Sequence, residues 1–348
     1  MALLHTLPAL DDDSKYGNKR QNILLKILKC LMELSRDGNC VSQLIQNSTM
    51  ASVVPFLSHE NEIIQTFVIM ILWNMTRVSN KNSAKSCAEA AEHGAIPILK
   101  KLILQGNHKA MYFLVPTICK FTSDAKNETL FELKKHNMVQ FYLDITKANS
   151  GLAQLEALNA LSEWIKRSDY ISRIEFILCQ PDNITQLIKV FETPVLHSKK
   201  NNRNLKSITT ILSAFKMLTT KSRKIADALG DSDMFLNALG EWLKSDNLVV
   251  QIINDLLRMI LNMFENLQPI SKKKFGKSIL PILDQVYEKQ KSKKIVVVLI
   301  TKQLLPDLWI FVDKDDTKKL SKELRNQVDV TSLDQKRLNQ FNTKIVDL

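Results

Sequence analysis

The chain has 348 residues, of which 45% are hydrophobic, 7% aromatic and 24% charged, and its formal net charge at pH 7 is +12. Only eight glycines and nine prolines punctuate it, and this composition favours an all-α protein because Gly, Pro and aromatic residues are commoner in sheets and loops. The most apolar run, residues 295–299, is too short to span a bilayer, which argues against a membrane protein.

The five cysteines are widely spaced and form no Cys-x-x-Cys pair and no Cys/His cluster with zinc spacing. Such isolated cysteines are typical of free thiols in a reducing compartment. The first residues lack the basic-then-apolar order of a signal peptide, so we expect a soluble, cytoplasmic chain. Residues 1–18, with three consecutive aspartates at 11–13, are interpreted as a flexible leader.

Short polar breaks recur along the rest of the sequence and divide it into segments of similar length. Measured between markers in these breaks, the steps are 48, 43, 48, 48 and 45 residues; the markers are His59, Asn107, Ser150, Ser198, Asp246 and Lys291. Periods of this size are typical of armadillo and HEAT repeats.

A long segment with helical apolar periodicity follows each break, and two shorter ones fill several of the intervals. The long segments are residues 63–75, 110–121, 152–165, 205–218, 249–264 and 295–311; the shorter pairs are 86–92 with 96–104, 129–135 with 139–145, and 222–229 with 235–243. Their apolar residues recur at i, i+3, i+4 and i+7, which predicts wide apolar helix faces that pack on both neighbours.

The order short, medium, long is that of an armadillo repeat, whose apolar faces are buried only by stacking. We therefore predict an all-α, armadillo/HEAT-like, right-handed helical-repeat solenoid with the long helices on its concave side. Residues 19–313 would form about six repeats. Residues 314–348, where the pattern turns charged, would form one or two capping helices and a tail.

One motif supports the repeat class directly. In residues 92–99, Gly94 precedes an apolar segment with Pro97. Glycine permits the sharp turn between two helices, and proline in a first helical turn removes no hydrogen bond. The motif therefore predicts the entry into the second helix of an armadillo unit.

Four further segments carry a more specific likeness: residues 113–119, 137–143, 156–165 and 181–187. Their succession resembles the non-kinase C-terminal portion of the fungal septation-initiation and mitotic-exit protein kinases, and of the related plant kinases of the MAP-kinase-kinase-kinase epsilon type. The likeness covers roughly residues 90–265. It implies a role in cell division, at the spindle pole body and in cytokinesis.

The chain lacks the sequence motifs of an enzyme. It contains no Gly-rich nucleotide loop, no His-Arg-Asp catalytic loop and no Asp-Phe-Gly metal site, all of which a protein kinase requires. None of its six histidines has a second histidine four residues later or a flanking cysteine pair. We expect no catalytic residue, no metal site and no cofactor, although the chain could be a fragment of a larger kinase.

The four tryptophans were compared with the peptide-binding ladder of nuclear-import armadillo receptors, in which a tryptophan precedes an asparagine by one turn. Four residues after Trp73, Trp164, Trp242 and Trp309 stand Arg77, Ser168, Asp246 and Asp313. No such ladder is present, and we expect these indoles to be buried between repeats.

The positive charge therefore points to a non-catalytic targeting scaffold. The predicted groove would bind acidic or phosphorylated segments of spindle-pole scaffold proteins through charge-assisted contacts, and self-association is a further option. The alternative is a basic solenoid that binds RNA. It is disfavoured because Phe113, Trp164 and Phe215 do not recur with the constant period that base-stacking repeats require. The candidate partner-binding residues are Lys120, Lys166, Lys206, Lys216 and Arg258. The lysine run 272–274 is instead expected to be solvated charge in a loop.

Overall fold

A computed structural model describes residues 17–77, 81–106, 108–123, 125, 127–147, 151–167, 170–197, 204–245 and 248–327. Residues 1–16 of the predicted leader lie outside these described residues. Residues 328–348 of the predicted C-terminal cap and tail also lie outside them. The chain divides into two compact units, an N-terminal unit of residues 1–164 and a C-terminal unit of residues 165–348. The described residues contain helices and turns but no β-strand.

The N-terminal unit starts with one long helix, and the helices after it follow in threes, of which the third is the longest. The helices are α1 Gly17–Leu34, α2 Gly38–Gln46, α3 Thr49–Val53 (extended by the 3-10 turn Val54–Ser58), α4 Glu62–Arg77, α5 Lys81–Glu92, α6 Ala95–Gln105, α7 Met111–Ser123, α8 Asn127–Lys135, α9 Met138–Thr146 and α10 Gly151–Ile165.

The C-terminal unit continues the pattern with two further triplets of helices. A long helix, a helix interrupted by a π-helical turn and two short helices follow them. The helices are α11 Ile171–Leu178, α12 Pro181–His197, α13 Asn204–Lys221, α14 Arg223–Gly230, α15 Asp233–Lys244, α16 Val250–Asn266, α17 Pro269–Lys289, α18 Lys294–Leu299 (followed by the π-helical turn Ile300–Leu304), α19 Leu305–Trp309, α20 Lys314–Lys318 and α21 Lys322–Gln327.

The longest helices pack side by side inside each unit: α1 against α4, α4 against α7, and α13 against α16. On α4 the fully buried residues include Ile64, Val68, Ile71 and Met75, whose spacing covers one broad face of the helix. The predicted all-α armadillo-type helices are therefore confirmed, and each predicted helical segment except 295–311 corresponds to one observed helix.

The turn between the first and second helix of each triplet in the N-terminal unit uses the left-handed region of the backbone. Gly94 has a φ of 82°, as its place in the motif predicts, and Ser48 and Asn137 have φ values of 49° and 51°. Asparagine and glycine tolerate this region better than other residues. The three turns thus reverse the chain in the same way with different residues.

Two sequence interpretations are wrong. The lysine run 272–274 was expected in a loop, but it lies in the first two turns of α17. Lys272 is only 9% exposed, and its ammonium lies 5.2 Å from the ring centroids of both Phe264 and Phe311, where cation–π attraction stabilises it. The segment 295–311 was expected to be one helix, but it contains a π-helical turn just before Pro306, which has no N–H for the ladder.

In the C-terminal unit, carboxylates of one triplet bind the start of a helix in the next. Glu175 of α11 accepts a hydrogen bond of 2.7 Å from the Ser222 hydroxyl, the N-cap of α14. Asp227 of α14 accepts one of 2.7 Å from the backbone N–H of Gln268, which precedes α17. Acceptors at helix N-termini satisfy amides that have no partner inside the helix, so these contacts fix the spacing of successive triplets.

Two histidines cap the long helices of the N-terminal unit and are joined by one glutamine. Nδ1 of His108 accepts a hydrogen bond of 2.9 Å from the Ala110 N–H, and Nδ1 of His59 accepts one of 2.8 Å from the Asn61 N–H. The Gln65 side chain bonds both, donating to the His59 carbonyl at 2.8 Å and meeting Nε2 of His108 at 3.0 Å. This arrangement requires a neutral His108 ring with its proton on Nε2.

We expect the N-terminal unit to lose stability as the pH falls below about 6.5, the ordinary pKa of histidine. Burial lowers the pKa of His108, although nearby Glu62 opposes this. The unfolded chain therefore binds this proton at a higher pH than the folded chain, and acidification favours unfolding until the lowered pKa is passed. Thermal unfolding midpoints at about pH 7.5 and about pH 5.5 would measure the loss.

The matched variant is His108→Asn. An asparagine side chain can accept the amide two residues ahead, as Asn61 does at 2.9 Å from the Ile63 N–H, and it does not titrate. The variant should show a smaller drop in midpoint between the two pH values than the unchanged chain. An equal drop in both proteins would show that other groups cause the pH dependence.

Candidate functional site

The structure places the five predicted partner-binding residues in different settings. Lys120 lies half-buried in the last turn of α7, in the N-terminal unit. The other four belong to the C-terminal unit and are exposed. Lys166 directly follows α10, Lys206 and Lys216 lie on α13, and Arg258 lies on α16. Because α13 and α16 pack along each other, the structure brings Lys206, Lys216 and Arg258 to one pair of helices.

Helix α13 presents a continuous polar stripe to solvent. Its exposed residues recur at intervals of three and four, opposite an apolar face that includes Ile208, Phe215 and Leu218. The stripe consists of Lys206, Thr209, Ser213, Lys216 and Thr220. The helix carries three lysines and no acidic residue, so this face is positively charged and rich in hydroxyl groups. We refer to this stripe together with Arg258 as the basic face.

Helix α16 is more mixed in charge. Arg258 is exposed, whereas the same helix carries Asp255 and Glu265. Asp255 accepts a hydrogen bond of 3.2 Å from the Gln251 side chain one turn earlier. The basic face is therefore strongest along α13 and weakens across α16.

The cations of the basic face differ in their ion pairing from several other lysines of the C-terminal unit. Lys224 lies 3.3 Å from Glu175, Lys273 lies 3.1 Å from Asp313, and Lys274 lies 3.0 Å from Asp233. Within the described part of the chain, the side chains of Lys206, Lys216 and Arg258 have no ion-pair partner. Their charges are thus available to an external anion.

Three long helices of the N-terminal unit, α4, α7 and α10, carry less positive charge than α13, whereas α1 carries four cations and one glutamate. Helix α10 contains Glu156 and Glu163 and no lysine or arginine. Lys120 is the only charged residue of α7. Sequence reasoning found the cations of the basic face, but it missed the hydroxyl groups beside them, which the recurrence of Thr and Ser at helical spacing on α13 could have indicated.

The N-terminal unit has a different surface feature, an apolar groove of about 630 Å³ at the ends of four helices. It lies between the end of α6, the start of α7, the end of α9 and the start of α10. Three large apolar side chains in its lining are exposed to solvent, namely Leu104 (67%), Tyr112 (67%) and Leu152 (41%). Asp144 is the one charged residue in the lining. Sequence reasoning did not predict this groove.

The described residues contain no cluster of three or more His, Cys, Asp or Glu side chains that could hold a metal ion. Of the five thiols, Cys87 and Cys119 are buried, Cys40 and Cys179 are intermediate, and Cys30 is exposed. Burial raises the pKa of the Cys119 thiol well above its usual range, so it is a poor nucleophile. No described helix is both long enough and apolar enough to cross a membrane.

The tryptophans largely follow the prediction. Trp164 and Trp242 are fully buried, and the indole N–H of Trp242 donates to the Phe191 carbonyl at 3.0 Å. Trp73 and Trp309 are only partly buried. Trp73 lies under the guanidinium of Arg77, 5.9 Å from the ring centroid.

Helices in threes, left-handed turns between the first two, and a longest third helix define the armadillo-repeat class, and known structures agree. A computationally designed armadillo repeat protein for modular peptide recognition matches with a TM-score of 0.58, covering 76% of this chain and 100% of its own at 14% identity. A designed armadillo repeat protein in complex with the peptide (KR)4 matches with a TM-score of 0.59, covering 76% and 100% at 15% identity. At such identities the likeness shows the fold alone.

Among curated proteins, the chain is similar to plant kinases. MAP3K epsilon protein kinase 1 of Brassica napus is 26% identical over 212 residues, which cover 60% of this chain and 15% of the kinase. MAP3K epsilon protein kinase 2 of Arabidopsis thaliana is 22% identical over 281 residues, which cover 79% and 17%. The chain thus spans less than a fifth of the length of these relatives. No model of a known protein family matches it.

Proposed function

We propose that this chain is a non-catalytic scaffold that binds acidic or phosphorylated segments of partner proteins on the basic face. The observation that carries the proposal is the set of three exposed cations, Lys206, Lys216 and Arg258, without an ion-pair partner in the described structure. Charge-assisted hydrogen bonds from lysine and arginine to phosphate or carboxylate are stronger than neutral ones. An anionic segment would supply the ion-pair partners that these three cations lack within the described structure.

The spacing of the cations suits a peptide rather than a single ion. Lys206 and Lys216 are ten residues apart on α13, which corresponds to about 15 Å along a helix. A peptide in extended conformation covers that distance with roughly five residues. The exposed hydroxyl group of Ser213 between the lysines could donate a further hydrogen bond to the same segment, whereas the Thr209 hydroxyl already donates to the Leu205 and Lys206 carbonyls and could only accept one.

The similarities extend the proposal to a cellular role. Designed proteins of the same fold recognise peptides, one of them the basic peptide (KR)4, whereas the unpaired charges here favour the opposite sign of ligand. The match to plant MAP3K epsilon kinases and the motif succession shared with fungal septation kinases support a regulatory and targeting role in cell division. The proposed location is the spindle pole body or the division site.

The test is a charge reversal of the basic face, Lys206→Glu with Lys216→Glu and Arg258→Glu. The unchanged chain should bind an alternating Glu–Asp octapeptide and its phosphoserine-containing counterpart, and the triple variant should bind both at least about tenfold more weakly, a loss of about 1.4 kcal/mol. Binding should also weaken between about 0.15 M and about 0.5 M salt, because exposed charges are screened within about 8 Å at physiological ionic strength. Fluorescence anisotropy measures both effects.

The matched control reverses three other exposed cations of the same unit, Arg223, Lys293 and Lys322, which lie on neither α13 nor α16. It changes the net charge equally, so loss of binding in both variants would mean that overall charge, not the basic face, attracts the peptide. Preferential binding of poly(U) RNA by the unchanged chain would support the nucleic-acid alternative. In dividing cells, a diffuse distribution of the fluorescently tagged chain would contradict the targeting role.

A further inference from the structure

The apolar groove of the N-terminal unit exists because the stack of long helices opens there. Helices α4 and α7 lie close together along their lengths, whereas α7 and α10 have no comparably close backbone approach. Pro116 lies inside α7, and a proline in a helix interior clashes with the preceding turn and bends the helix. The gap between α7 and α10 leaves apolar side chains of both repeats facing solvent.

The exposed side chains around this gap are unusually large for a surface without a ligand. Leu104, Tyr112 and Leu152 surround a floor formed by residues such as Val115 and Phe141, which are nearly buried. Contiguous exposed apolar groups that line a concavity are typical of binding sites, whereas scattered ones are not. The groove volume of about 630 Å³ accommodates several large side chains of a bound segment.

The polar groups at the groove are mainly acceptors. Oδ1 of Asp144 accepts hydrogen bonds from Gln140 at 3.1 Å and from Lys147 at 3.2 Å, while no described residue occupies Oδ2. Pro116 has no N–H to donate to the carbonyl of Tyr112, one turn earlier. The starts of α7 and α10 and the ends of α6 and α9 meet here, so their helix dipoles offset each other.

From this combination we infer that the groove is a second docking site, and that it takes a protein segment with at least two large apolar side chains next to a lysine or arginine. The apolar side chains would cover Leu104, Tyr112 and Leu152, and the cation would bind Asp144. Lys147 does not prevent this, because its pair with Asp144 is exposed on both sides (49% each), and such exposed pairs contribute little to stability. This ligand differs from the acidic segment proposed for the basic face.

The experiment uses the complete chain, immobilised and panned against a phage-displayed library of random 16-residue peptides. We expect enriched peptides that share large apolar residues flanked by Lys or Arg. The double variant Leu104→Ser with Tyr112→Ser should lose at least tenfold in affinity for them, while Phe131→Ser, an equally exposed apolar residue on α8 outside the groove (65%), should not. Enrichment that survives the double variant would overturn the assignment of the groove.

A charge reversal tests the second half of the inference. Asp144→Lys should change the enriched sequences from basic to acidic flanks, whereas Glu128→Lys, in the first turn of α8 and outside the groove lining, should leave them basic. If the unchanged chain enriched peptides with acidic flanks, or peptides that resemble its own apolar residues 2–10, the stated ligand chemistry would be contradicted. The triple variant of the basic face should still bind these peptides. The proposal for the groove can therefore be tested even if the proposal for the basic face fails.

Discussion

Trp242→Ala is expected to destabilise the C-terminal unit by about 3–5 kcal/mol, the usual cost of removing a large buried aromatic side chain. Trp242 is fully buried and stacks on Phe191, with ring centroids 5.2 Å apart. Phe191 in turn contacts Phe215 and Phe235 at 4.9 and 5.0 Å. These four rings come from α12, α13 and α15, and the substitution removes the Trp242–Phe191 contact that joins α15 to α12 within this cluster.

Part of the loss comes from a hydrogen bond. The Trp242 indole N–H donates to the Phe191 carbonyl at 3.0 Å, and alanine leaves this buried acceptor without its partner, which costs about 1–3 kcal/mol. Trp242→Phe keeps most of the ring packing and should lose less than Trp242→Ala. Urea unfolding followed by circular dichroism measures both.

Phe176→Ala is the matched control, because Phe176 is 73% exposed in the same unit and its removal should change stability by no more than about 0.5 kcal/mol. If Trp242→Ala costs no more than this control, the aromatic cluster does not hold the unit together.

Much of the fold was predictable because helical periodicity depends on local sequence alone. The apolar spacing on α4 and α13 predicts their buried faces, and Gly94 predicts a turn that the structure confirms.

Helix α17 was missed because its lysine run, Gly276 and Pro281 are typical of loops. It forms nonetheless because Pro269 occupies its first turn, where proline is tolerated. Pro281 lies on the exposed side of the helix, where water can bind the carbonyl that loses its partner.

The candidate sites were less predictable than the helices. The exposure of Lys206 and Lys216 follows from the helical pattern, but their lack of partners does not, because some of the acids that pair with other lysines come from distant parts of the sequence. Lys224, for example, pairs with Glu175. The apolar groove depends on how the ends of four helices meet, and this is not encoded in the periodicity of one segment.

The two proposed sites would suit a scaffold, because they would select ligands of different chemistry in separate compact units. The basic face offers unpaired cations and hydroxyl groups, whereas the groove offers exposed apolar groups and an acceptor carboxylate. A chain with both could hold two partners, or two segments of one partner, and two linked sites raise the effective affinity beyond that of either alone.

Asp227→Ala should lower the stability of the C-terminal unit by about 1–3 kcal/mol, the cost of losing a part-buried hydrogen bond to a charged acceptor. Asp227 is only 9% exposed and accepts the Gln268 N–H at 2.7 Å. The Gln268 side chain does not cap α17. The Asp227 carboxylate from the preceding triplet therefore provides both an acceptor and the negative charge that stabilise a helix N-terminus. Its second oxygen is buried without a partner among the described residues, and this desolvation cost keeps the expected loss below that of a fully satisfied buried carboxylate.

Asp233→Ala is the matched control because the Asp233 carboxylate also contacts α17, through Lys274 at 3.0 Å, but is 82% exposed. An exposed pair of this kind contributes about 0–1 kcal/mol and is screened by salt. Asp227→Asn should fall between the two, since its amide oxygen can still accept the Gln268 N–H without the charge. Hydrogen exchange of the backbone amides at residues 268–272 should accelerate in Asp227→Ala and remain unchanged in Asp233→Ala. Equal stability and equal exchange in the two alanine variants would show that α17 begins at Pro269 without help from the preceding triplet.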